Sequence, residues 1–140
     1  MSPTYRAAFT GDYKNVPLAR NSIARFALLC GFSRDEVEDI RVAAGEALNN
    51  AVEHGHAGRS SGFSVQCSFA DDVLTIEVRD NGTGFSADGR VSDTPGDGDR
   101  GFGIFLMRKL MDVVRFEREG TCVRLIRRHT VPPPVEKATV

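Results

Sequence analysis

The chain has 140 residues, 41% of them hydrophobic and 26% charged, with a formal net charge of −1. That length holds one domain around one core, and so small a charge gives no non-specific grip on nucleic acid through phosphate neutralisation. No run reaches the roughly 18 apolar residues of a membrane span, no signal-peptide core follows Met1, and Cys30, Cys67 and Cys122 are odd in number and far apart. The cysteines form neither a metal spacing nor a disulfide framework, so they read as small apolar residues in a reducing cytoplasm.

"TYRAAFTGD" sets Tyr5, Ala7 and Phe9 at alternate positions and predicts a short strand ended by Gly11 and Asp12. "VPLARNSIARFALLCGF" follows, with Val16, Ala19, Ile23, Phe26, Ala27 and Cys30 at helical spacing and Gly31 as the stop. A second helix starts at Ser33, which forms a capping box with Glu36, while Asp35 adds negative charge to the first turn. It runs about 21 residues to His54, roughly 30 Å of helix, and Gly55 and Gly58 mark its end. "FSVQCSF" then puts Phe63, Val65, Cys67 and Phe69 on one face, and "DVLTIEVRD" does the same with Leu74, Ile76 and Val78. The short connection pairs these two strands as an antiparallel hairpin.

Residues 86–100, "SADGRVSDTPGDGDR", hold three Gly and one Pro and almost nothing apolar, so they predict a mobile loop. At that length a loop inside a compact domain is either functional or disordered. "GFGIFLMRKLMDVV" predicts a third helix with Ile104, Met107, Leu110 and Met111 on one side, and "VRFEREGTCVRLIRR" a hairpin around Glu119-Gly120. The order implies an α+β two-layer sandwich: a mixed, mostly antiparallel sheet of about five strands with three helices on one face. One domain spans residues 1–129, and residues 130–140 form a disordered tail with nothing to pack.

Three segments carry chemistry. In "GEALNNAVEHGH", Glu46, Asn50 and His54 recur every four residues and share one helix face, which either faces water or lines a pocket. In the pocket reading, Glu46 supplies a general base and Asn50 an oxygen ligand for Mg²⁺. His54 and His56 diverge at the helix end and make a poor metal pair, so His54 is read as structural. In "VLTIEVRD", strand parity carries Asp80 onto the same face as Leu74, Ile76 and Val78, where a carboxylate is costly unless something hydrogen-bonds it. Gly82 and Gly84 follow in "DNGTGF", as either a hairpin turn or room for a ligand; no strand comes next, which disfavours the hairpin. "RGFGIF" starts a helix with Gly-x-Gly, which exposes backbone N–H groups to an anion.

In this order the segments resemble the GHKL ATPase superfamily, to which gyrase B, MutL and histidine-kinase catalytic domains belong. "EALNNAVEHG" looks like its N box, "DNGTGF" like the first glycine box and "GFGIFLMRKLMD" like the second, and the resemblance covers residues 5–128. Within the superfamily, the small stand-alone anti-sigma-factor serine kinases of bacteria are most similar. The resemblance implies a Bergerat ATP-binding fold with ATP and Mg²⁺ as cofactors. Asp80 would accept from the adenine amino group, and Gly82 and Gly84 would make room for the nucleotide. Asn50 would hold Mg²⁺, and Glu46 would be the general base. Residues 86–100 would be the ATP lid, with Arg100, Gly101, Phe102 and Gly103 at the phosphates. That lid carries Asp88, Asp93, Asp97 and Asp99 against Arg90 and Arg100, so it should resist closing at low salt unless Mg²⁺ or a partner compensates.

The implied function is a cytoplasmic kinase that phosphorylates a serine on an anti-anti-sigma (STAS-type) partner and sequesters an alternative sigma factor. The implied assembly is a homodimer formed through the first strand and helix, with no contact to nucleic acid or membrane. The alternative is a nucleotide-gated binding module, a switch on a phosphatase or other regulator, with little kinase activity. A detached sensor histidine kinase fits less well, because no segment here supplies a phospho-accepting histidine helix.

Overall fold

Strand alternation and helix spacing in this sequence point to one shared layer of apolar side chains, and the structure closes that layer. This computed structural model describes residues 2–54, 62–80 and 99–129. Five strands, β1 (Thr4–Thr10), β2 (Gly62–Ala70), β3 (Val73–Asp80), β4 (Val113–Glu117) and β5 (Cys122–Arg128), form one sheet in the order β1-β2-β3-β5-β4. Three helices, α1 (Val16–Leu29), α2 (Arg34–His54) and α3 (Asp99–Leu110), make the second layer. Leu74, Ile76 and Val78 of β3 and Val65 and Cys67 of β2 share a core with Ile23, Ile40, Leu48, Ile104 and Met107 from the helices. No helix among the described residues is long and apolar enough to cross a membrane.

All four strand pairings are antiparallel, where the sequence reading allowed a mixed sheet. The reason lies in the sheet order. α3 carries the chain from β3 to the far edge, and β5 folds back into the slot left between β3 and β4. β3 and β4 therefore run in the same direction without being neighbours.

Local signals act as the sequence expects at the helix ends. The Ser33 N–H donates to Glu36 Oε1 at 3.0 Å, and the Glu36 N–H donates to Ser33 Oγ at 3.1 Å, which closes the capping box of α2. α1 stops at Gly31, whose φ of 101° suits a residue without a Cβ. There the Phe32 N–H reaches the Ala27 carbonyl and the Gly31 N–H the Leu28 carbonyl, which satisfies the last turn. His129, just after β5, hydrogen-bonds the Gly31 carbonyl at 2.8 Å and meets Phe32 edge-on at 4.7 Å. That contact pins the end of the sheet to the α1–α2 corner.

Three boundaries differ from the sequence reading. A 3-10 turn, Tyr13–Asn15, precedes α1, and the Asp12 carboxylate caps it by accepting from the Lys14 N–H. α3 ends at Leu110 instead of running through Val114, because the β-branched pair Val113-Val114 starts β4. α3 also takes in Asp99 and Arg100, which the sequence reading assigns to the loop. The rest of that loop and the tail from residue 130 lie outside the described residues.

Replacing Ser33 with Ala removes one half of the capping box and should cost about 1 kcal/mol of stability. Urea unfolding of the two proteins, compared at equal slope, checks this.

Candidate functional site

The site is built around α2, the most enclosed helix. Ala43, Ala44, Ala47 and Ala51 are buried, and their small side chains let α1, α3 and the sheet pack closely around the helix axis. That packing decides the fate of the polar stripe. Asn50 is only 8% exposed and is the one buried polar or charged side chain among the described residues. Glu46, one turn earlier, is half-buried. The solvated face of α2 is instead the one bearing Glu38, Val42 and Asn49, so Glu46 and Asn50 line an interior surface and are not a surface stripe.

What Glu46 lines is the start of α3. A Cβ added to Gly103 would fall 2.7 Å from Glu46 Oε2 and 3.6 Å from its Cδ, so the carboxylate lies directly on the backbone of that turn. Burial raises the Glu46 carboxyl pKa above the ordinary glutamate range, because the charged form loses water there. On its other side the same residue borders a groove of about 300 Å³ between α1 and α2, shared with Arg20, Arg41, Val42 and Asn49. The stem of Arg20 rests against Gly45, and its Nε is buried without a hydrogen-bond partner among the described residues.

Strand parity puts Asp80 on the expected face of the sheet. Asp80 ends β3 opposite Phe63 of β2, on the face carrying Leu74, Ile76 and Val78, and its backbone N–H is tied to the Thr121 carbonyl at 2.8 Å. The carboxylate three residues back behaves differently. Glu77 faces outward and pairs with Arg124 at 2.6 Å and Arg79 at 3.2 Å. The ionic network of β3 is therefore spent on the open side of the sheet, and Asp80 alone brings a carboxylate toward the helices from this strand.

Of the other sequence candidates, Gly82 and Gly84 lie outside the described residues, as does His56. Arg100 and Gly101 fall in the first turn of α3. Phe102, in the same turn, is 40% exposed and stacks on Phe105 at 6.1 Å. The described residues hold no group of three His, Cys, Asp or Glu that could bind a metal ion, so a cation here would depend on a ligand's own oxygens. The thiols take no part in this site. Burial, and then the nearby Cys30, push the Cys67 pKa up to about 12, and burial raises Cys30 and Cys122 as well. Sequence reasoning missed Arg20 and Arg41, since nothing in helical spacing marks one exposed arginine over another.

The fold agrees with comparisons to known proteins. The profile of the histidine kinase-like ATPase domain matches residues 9–127. The chain is 34% identical over 119 residues to the serine-protein kinase RsbW of Listeria monocytogenes, covering 77% of this chain and 76% of the relative. It is 32% identical over 115 residues to RsbW of Bacillus subtilis, covering 75% and 72%. The anti-sigma F factor of Clostridium botulinum is 29% identical over 132 residues, covering 88% and 92%. A solved structure of RsbU and RsbW domains from Mycobacterium tuberculosis superposes with a TM-score of 0.70 over 93% of this chain. At 22% identity that likeness is one of fold, and the chain spans 33% of that longer protein.

A raised carboxyl pKa has a consequence for stability. The folded state holds the Glu46 proton more tightly than the unfolded state, so Glu46 favours folding below its unfolded pKa and loses that contribution as pH rises through its folded pKa. Glu46→Gln should therefore stabilise the protein at neutral pH, and the gain should vanish in acid below the ordinary glutamate range. Urea unfolding of both proteins across that interval is the check.

Proposed function

The chain belongs to the histidine kinase-like ATPase domain family, and from that premise we propose that it is an ATP-dependent serine-protein kinase that also acts as an anti-sigma factor. The observation that carries this reading is the pairing on α2: a half-buried carboxylate at the start of α3, one turn from a buried amide.

In this reading the purine end of ATP lies at β3. The Asp80 carboxylate accepts a hydrogen bond from the adenine amino group, and the glycines Gly82 and Gly84 let the backbone pass close to the base. The phosphates lie toward the first turn of α3, which holds Arg100, Gly101 and Phe102 and whose dipole favours negative charge. Asn50 presents a hard amide oxygen from an enclosed position, which fits Mg²⁺, an ion that takes few protein ligands and completes its shell with phosphate and water. When bound there, the ion supplies charge neutralisation to the phosphates.

Glu46 acts on the acceptor. As the serine oxygen of the partner forms its bond to the γ-phosphorus, the bond from that phosphorus to the ADP oxygen breaks and the serine proton passes to the Glu46 carboxylate. Burial makes this carboxylate a stronger proton acceptor than an exposed glutamate, which suits it to a neutral hydroxyl. The groove lined by Arg20, Arg41 and Asn49 opens on the same residue and offers the acceptor side chain a route separate from the nucleotide.

The relatives' names, a serine-protein kinase and an anti-sigma F factor, support a protein serine as acceptor and a sigma factor as partner, while the STAS-type anti-anti-sigma substrate and the cytoplasmic setting rest on the motif resemblance. A homodimer fits the edge of β1, which pairs with no strand but β2 among the described residues, and the exposed Leu18, Leu28 and Leu29 of α1.

Transfer of labelled phosphate from Mg-ATP to a STAS-type partner tests the reading. Glu46→Gln should lower the transfer rate by about 100-fold or more while leaving ATP affinity nearly intact. A near-wild-type rate would remove Glu46 from its role. A wild-type protein that transfers nothing but binds its partner tightly would be a binding module.

A further inference from the structure

Gly103 occupies a position whose backbone does not require glycine. It lies within α3, has no positive φ, and is followed by Ile104 and Met107, which are buried and fix the helix against α2. Glycine is disfavoured in a helix relative to alanine, so what a methyl group would meet becomes the question. The three nearest atoms to an added Cβ all belong to one residue: Glu46 Oε2 at 2.7 Å, Cδ at 3.6 Å and Cβ at 3.9 Å.

From this contact we propose that Gly103 is a positioning residue for Glu46, and that its bare Cα provides the space in which the carboxylate must lie to accept the serine proton. The role rests on the kinase reading and deepens it. It also differs from the phosphate contact that the glycine pattern of this helix implies, because the space beside Gly103 is taken by a carboxylate oxygen of the protein itself. α2 cannot retreat to make room: Ala43, Ala44 and Ala47 on either side of Glu46 are fully buried, which leaves no slack between the helices. On the opposite side the carboxylate faces the groove with Arg20 of α1 and Glu38 and Arg41 of α2. A methyl group at position 103 would push the carboxylate toward that groove, away from the phosphate end of the site.

Gly103→Ala is a clean test because the atom it strikes is the far end of a flexible side chain and not backbone. The variant should fold with a melting temperature equal to or above wild type, since alanine is the better helix former. Mg-ATP affinity should stay within about twofold, and single-turnover transfer to the STAS-type partner should fall by about tenfold or more. Added to Glu46→Gln, the same change should cost nothing further, because the group it displaces is already inactive. Crystal structures of the two proteins should show the Glu46 carboxylate swung toward Arg20 and Arg41 in the variant.

Loss of ATP affinity in step with transfer, or an equal loss in the Glu46→Gln background, would place Gly103 on the nucleotide and overturn the proposal. An unmoved carboxylate would overturn it too, and so would a variant that does not fold. If the wild-type protein transfers no phosphate at all, the kinase reading falls by itself, and the position of the carboxylate in the two crystal structures still decides the role of Gly103.

Discussion

The close approach that alanine permits along α2 is the constraint on which the rest of this structure depends. Ala43, Ala44, Ala47 and Ala51 bring α1, α3 and the sheet near to one helix axis, and two polar residues on that helix are carried inward with them. Burying an amide and half-burying a carboxylate both oppose folding unless something compensates. The core answers with Ile23, Ile40, Leu48, Leu74, Ile76 and Leu125, all fully enclosed. The protein thus holds two polar groups at a fixed interior surface.

The carboxylates illustrate how environment separates roles. Glu77 and Asp80 sit three residues apart on β3, yet the period of two sends them to opposite faces. Glu77 is neutralised by Arg79 and Arg124 on the open side of the sheet. Asp80 ends the strand on the helix side, with its backbone locked to Thr121. Glu46 lies half-buried on α2, and burial raises its pKa. An ion-paired carboxylate on the open face, one on the helix side of the sheet and one half-buried against α3 are thus three placements of the same functional group.

Much of this was legible in the sequence because the signals were local. Strand parity gave the buried faces of β2 and β3 and the side on which Asp80 lies, and Ser33 with Glu36 marked the start of α2 to the residue. Gly31 stopped α1 where the spacing said it would. What escaped depends on contacts between distant segments. The insertion of β5 between β3 and β4 follows from where α3 delivers the chain, which no single segment encodes. The groove arginines, Arg20 and Arg41, look like ordinary exposed charges until α1 lies beside α2. The contact of Gly103 with Glu46 likewise joins two helices, and from sequence alone that glycine was read only as part of a phosphate-facing turn.

The central claim is that Asp80 and the α2 pair Glu46 and Asn50 mark the two ends of one nucleotide site. A crystal structure with magnesium and a non-hydrolysable ATP analogue tests it most directly. The account predicts the adenine amino group on the Asp80 carboxylate, with the triphosphate running between Asn50 and the first turn of α3. A nucleotide bound elsewhere, or one whose base lies away from Asp80, would contradict it.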